Sequence, residues 1–143
     1  MQTVMSCCMA WKMNQPWGRV IQMSSVYGLR GIARRVDYVT TKTALIGLTR
    51  ALAAETLTDG ITSNAICLGS VLTTGTEGRV QDLMHEHGIL REEAEPIFLQ
   101  GKQQTQRFVQ SQDAASTVVF LCSPASRDIT GQVLSVDGGW STM

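Results

Sequence analysis

Gly18-Arg19-Val20-Ile21-Gln22-Met23-Ser24-Ser25, followed by Tyr38-Val39-Thr40-Thr41-Lys42, is the stretch whose reading decides the fold. The first eight residues read as a short, mostly apolar strand running into a polar turn. From Asp37 onward a helix is expected, which sets Tyr38 and Lys42 one turn apart on one face. Strand, turn and helix in that order place Ser25 and Tyr38 at the carboxyl end of a parallel sheet, where open α/β folds hold their ligands. The three side chains are chemically complementary. A phenol with a pKa near ~10 is a poor base at neutral pH; a neighbouring ammonium favours its phenolate. A serine hydroxyl can hold a carbonyl oxygen. Together they suit reversible oxidation of an alcohol, and since no side chain accepts a hydride, that reaction implies a nicotinamide cofactor.

The bulk properties are those of one soluble domain. The chain has 143 residues, 43% of them hydrophobic, which is enough for a real core. Twelve basic and twelve acidic residues balance, so nothing favours nucleic acid or an anionic membrane. Arg34-Arg35 is the one tight basic cluster and reads on composition as a solvated loop. The four cysteines, Cys7, Cys8, Cys67 and Cys122, form no CxxC and no zinc spacing; reduced thiols in a cytoplasmic compartment are expected. His85 and His87 flank Glu86 and point to different sides of a helix, so no metal site is expected. The uncharged stretch from Met1 to Trp11 is too short to cross a bilayer and lacks the marks of a signal peptide.

The chain resembles the short-chain dehydrogenase/reductase family over nearly its whole length. Gly18-Arg19-Val20-Ile21 with Ser24-Ser25 is similar to that family's serine strand, and Tyr38 to Lys42 to its active-site helix. Ile61-Thr62-Ser63-Asn64-Ala65-Ile66-Cys67 resembles the next strand, and Asp137-Gly138-Gly139 the C-terminal signature. The resemblance implies the C-terminal half of a Rossmann-like doubly wound parallel sheet. It would have about three strands, near residues 18–24, 61–66 and 132–136, with flanking helices. It makes residues 1–143 a single incomplete domain, with a helix over 37–57, a long helical insertion over 76–122 and a lid over about 76–110. The stretch from Met1 to Trp11 would be the second half of a helix preceding the serine strand. The apolar edge Val20-Ile21-Gln22-Met23 would lie bare and open to pairing.

By the same resemblance Ser25, Tyr38 and Lys42 are catalytic, and Tyr38, Lys42, Gly69, Val71 and Thr73 hold NAD. Leu68-Gly69 stands where the family usually has Pro-Gly. The segments His87-Gly88-Ile89, Gln100-Gly101-Lys102-Gln103 and Arg107-Phe108-Val109, with Trp140 at the end, resemble the D-3-hydroxybutyrate dehydrogenase branch. That branch implies a small hydroxy or keto acid as substrate, bound by Ser25, Tyr27, Arg35, Arg79 and Trp140. A 3-oxoacyl-thioester reductase of the same fold is the rival enzyme reading. No GxxxGxG or GxGxxG turn precedes a helix here, and the family's catalytic asparagine has no counterpart. Little dehydrogenase activity is therefore expected of the chain alone, and a non-catalytic partner of a full-length dehydrogenase is the rival of a different class. Ala44, Leu48, Ala51 and Leu52 recur at helical spacing, and the resemblance implies a homo-oligomer or association with a full-length paralogue.

Overall fold

The computed structural model describes residues 7–11 and 17–142. Four strands form one sheet in the order β1 (Cys7–Trp11), β2 (Gly18–Ser25), β3 (Ile61–Leu68), β4 (Val133–Val136). β2, β3 and β4 run parallel, with Gly18 opposite Ile61 and Ala65 opposite Val133. β2 connects to β3 through α1 (Val36–Glu55), and β3 to β4 through α2 (Thr74–His87), α3 (Arg91–Leu99) and α4 (Ser111–Cys122). None of the described helices is long and apolar enough to cross a membrane.

Successive residues of a strand face opposite sides, and β3 uses both. Ala65 and Cys67 pack on Ile46 of α1, whereas Ile66 packs with Ile21 and Leu121, the latter from α4. Six consecutive residues of β3 are buried, as befits the middle of a parallel sheet covered on both faces. Asn64, among them, donates to the Ile129 carbonyl and accepts from the Gln132 amide, which fixes the approach to β4. The inward face of α1 is Leu45, Ile46, Thr49 and Ala53; Ala44, Leu48 and Ala51 face outward.

Two expectations need correction. The segment Cys7–Trp11 is a strand, not a helix, paired antiparallel to β2 with Cys7 opposite Gln22 and Trp11 opposite Gly18. The open edge of β2 supplies the reason: it offers a row of unpaired backbone groups, and an uncharged run of Cys, Met, Ala and Trp can pair with it. The remainder of the expected helix, residues 1–6, lies outside the described residues. The edge of β2 is therefore not bare, the second correction, whereas the insertion over 76–122 is helical as expected, in three pieces, α2, α3 and α4. Gly88, at φ 62°, ends α2 in the left-handed conformation that glycine adopts without strain. Residues 100–110 are irregular, and there Val109 bridges to Val71. The insertion has its own small core of Val80, Ala94, Leu99 and Phe108. The Arg91 guanidinium, forked onto Glu77, ties α3 to α2.

Candidate active site

The carboxyl ends of the three parallel strands converge on a cavity of about 520 Å³. Ser25 ends β2, residues 69–73 follow β3 and Trp140 follows β4. All ten residues singled out from sequence line this cavity: Ser25, Tyr27, Arg35, Tyr38, Lys42, Gly69, Val71, Thr73, Arg79 and Trp140.

Ser25 caps the short 3₁₀ turn Val26–Gly28, its hydroxyl oxygen accepting from the Tyr27 amide at 3.2 Å. That bond uses a lone pair and leaves the hydroxyl proton for a ligand oxygen. Arg34, at φ 64°, turns the chain into α1 through a left-handed conformation unusual for a residue with a side chain. Tyr38 and Lys42 then share a face as expected, the ammonium 5.7 Å from the centre of the phenol ring. Tyr38 is 38% exposed, toward the cavity, whereas Lys42 is 9% exposed. The Lys42 amine donates to the Met23 carbonyl at 2.8 Å. Burial pushes its pKa below the ordinary lysine range, with the Cys67 thiolate opposing. An ammonium has three protons, so two remain for hydroxyl groups in the cavity. That donor set fits a ribose.

Residues 69–73 are held from both sides. The Gly69 amide donates to Val136, and a side chain at Gly69 would come within 2.9 Å of Asp137 Cα. The amide of fully buried Gln103 reaches from the segment after α3 to accept from Ser70 N and donate to the Arg107 carbonyl. Leu68, where the family usually has proline, continues β3, opposite Ser25 on one side and Val136 on the other. Thr73 caps α2 in a reciprocal pair with Thr76, so its hydroxyl serves the helix and faces the cavity at once. Opposite, the ring of Tyr27 stands edge-on to Tyr38 at 6.3 Å and to Trp140 at 5.1 Å. Burial pushes the Tyr27 phenol up, opposed by the guanidiniums of Arg30, Arg35 and Arg79.

Sequence reasoning passed over Lys102, Phe98 and Thr76, which also line the cavity. Lys102 was visible only within Gln100-Gly101-Lys102-Gln103; what brings it to the cavity is the turn at Gly101, at φ 69°. His85 and His87 remain on α2, and no group of metal-binding side chains occurs among the described residues.

Behind the cavity wall Cys67 is fully buried, and burial pushes its thiol above the ordinary value of 9.0. The unfolded chain therefore loses this proton first, and stability is expected to fall as pH rises from 9.0 through the folded thiol's range. Lys42 acts with the opposite sign, a cost being relieved as pH climbs toward 10.5. Thermal unfolding of the chain and of Cys67→Ala across this range isolates the thiol. The substituted chain should lose less stability, and equal losses would refute the assignment.

Fold and site together define a doubly wound α/β protein with a Ser–Tyr–Lys set at the carboxyl end of its parallel strands. The family model described as enoyl-(acyl carrier protein) reductase matches residues 1–141. The chain belongs to the short-chain dehydrogenase/reductase family. It is 37% identical over 127 residues to a D-beta-hydroxybutyrate dehydrogenase of Cupriavidus necator, covering 89% of this chain and 49% of that protein. It is 36% identical over 126 residues to a 3-oxoacyl-acyl-carrier-protein reductase of Aquifex aeolicus, covering 88% of this chain and 46% of that one. Among solved structures, L-sorbose reductase from Gluconobacter frateurii, complexed with NADPH and L-sorbose, superposes with a TM-score of 0.82 at 26% identity, covering 90% of this chain and 49% of that one. A 4-hydroxyisoleucine dehydrogenase complexed with NADH superposes with a TM-score of 0.74 at 30% identity, covering 88% and 48%. The chain thus spans about half the length of the curated relatives it matches.

Proposed function

We propose that these residues form the nicotinamide and substrate side of an oxidoreductase that interconverts a small 3-hydroxy acid and its 3-oxo acid, with D-3-hydroxybutyrate and acetoacetate as the reference pair and NAD as cofactor. The observation that carries the reading is the single cavity in which Ser25, Tyr38 and Lys42 meet the cations Arg35 and Arg79. The similarity to D-beta-hydroxybutyrate dehydrogenases supports it.

The bound nicotinamide supplies the hydride acceptor or donor. The rest falls to the chain. Ser25 donates to the substrate oxygen. Tyr38 takes the proton from the hydroxyl in oxidation and returns it in reduction. Lys42 stabilises the phenolate that forms, and its two free protons hold ribose hydroxyls. Thr73 and the loop before it orient the carboxamide. Arg35 pairs with the substrate carboxylate, and Tyr27 and Trp140 wall the carbon chain.

A 3-oxoacyl-thioester reductase is the second reading, favoured by the similarity to the Aquifex aeolicus enzyme. Consumption of reduced NAD by the purified chain with acetoacetate, and with a neutral acetoacetyl thioester, separates the two. Without a glycine-rich diphosphate turn in these residues, slow turnover is expected, with the free acid preferred about tenfold or more. Equal or better use of the thioester would overturn the hydroxy-acid reading. The outward face of α1, Ala44, Leu48 and Ala51, supports association with a second copy or a full-length relative.

A further inference from the structure

Beside Lys42, Arg35, Arg79 and Lys102 line the same cavity, and no aspartate or glutamate among the described residues lines it with them. The ion pairs among the described residues lie outside the cavity and join Arg91 to Glu77 and Glu95, and Arg127 to Asp128. None of Arg35, Arg79 and Lys102 takes part in an ion pair among the described residues. They also come from three separate elements. Arg35 precedes α1 beside Tyr38, Arg79 projects from α2, and Lys102 follows α3. The Lys102 amine donates to the Phe98 carbonyl at 2.6 Å and lies 3.7 Å from the centre of the Phe98 ring. Burial lowers its pKa, and the Arg79 guanidinium lowers it further, so the two charges repel across the cavity.

One guanidinium fork can pair a carboxylate bidentately. Arg35, which precedes the helix that carries Tyr38, can hold the one nearest the reacting carbon. Arg79 and Lys102 are then two further like charges in the same cavity, with no acid lining it beside them. We infer that the substrate carries a second anionic group, and that the cavity takes a 3-oxo or 3-hydroxy dicarboxylate in preference to a monocarboxylate. Arg35 holds the carboxylate nearest the reacting carbon, Arg79 and Lys102 hold the distal one, and the Tyr27–Trp140 wall flanks the carbons between. This inference rests on the oxo-acid reading above and deepens it.

Calorimetric titration of the folded chain with acetoacetate and with 3-oxoglutarate tests it. The dicarboxylate should bind about tenfold or more tighter at low salt. Arg79→Gln and Lys102→Met should each collapse that ratio, whereas Arg35→Gln should weaken both ligands. Equal affinity of the two acids would overturn the dianion site and leave the oxo-acid reading intact. So would a preference that survives both substitutions, or substitutions that weaken NAD in place of the dicarboxylate. Conversely, a folded chain that binds succinate but neither oxo acid would retain the dianion site and count against the oxidoreductase. Binding of none of these acids would overturn both.

Discussion

Replacing Tyr38 by phenylalanine is expected to lower the rate of oxo-acid reduction by about 10²- to 10⁴-fold, the usual worth of a positioned general acid. The substitution is clean. The ring stays, and with it the edge-on contact to Tyr27 at 6.3 Å and the neighbouring Lys42 ammonium at 5.7 Å. The lost hydroxyl makes no hydrogen bond to another described residue, so thermal stability should hardly change. Since the proton moves only as the carbonyl is reduced, kcat and kcat/KM should fall together while ligand affinity holds. Steady-state rates of the two chains, measured side by side, check this. A rate unmoved by the loss of the phenol would remove Tyr38 from the chemistry.

The second large effect is structural and concerns Gly28. A methyl group there would lie 2.6 Å from Ser24 Oγ and 2.9 Å from the Lys42 carbonyl oxygen. Those two atoms are themselves hydrogen-bonded at 2.8 Å, and Thr43 donates to the Gly28 carbonyl. The absence of a side chain lets the 3₁₀ turn sit directly against α1 where the helix carries Lys42. Gly28→Ala must push the turn and the helix apart and break the buried Ser24 bond. Overpacking and one lost bond together give a destabilisation of about 2–4 kcal/mol. Chemical denaturation is the check, with a change below about 0.5 kcal/mol as the contrary result. The shift should also carry Lys42 away from Met23, so cofactor affinity should fall even where the chain remains folded.

How far the sequence could be read depended on whether neighbours along the chain or neighbours in space decide a residue's place. β2, α1 and β3 follow from local pattern: an apolar strand into serines, then a helix with Tyr38 and Lys42 one turn apart. The cavity followed too, because strand–turn–helix order brings Ser25, Tyr38 and the residues after β3 to one end of the sheet. Cys7–Trp11 did not follow. Its five residues are compatible with helix or strand, and the unpaired edge of β2 decides between them. The boundary at Leu68 was misplaced by two residues because pairing with Val136, more than sixty positions away, extends β3. Lys102 as a member of the site, and Gln103 as the support of the loop after β3, escape the sequence for a related reason. They lie in the irregular stretch after α3, where no periodicity marks a face. Only the turn at Gly101 and the docking of that stretch against residues 69–73 and 138 reveal what they touch.

The measurement that bears most directly on the central claim is calorimetric titration of the folded 143-residue chain with NAD, beside the Lys42→Met chain, with folding of both confirmed by circular dichroism. The cavity assigned here predicts saturable binding that Lys42→Met weakens about tenfold or more, since the ammonium's two free protons are lost. No binding by a folded chain, or equal binding by both, would contradict it.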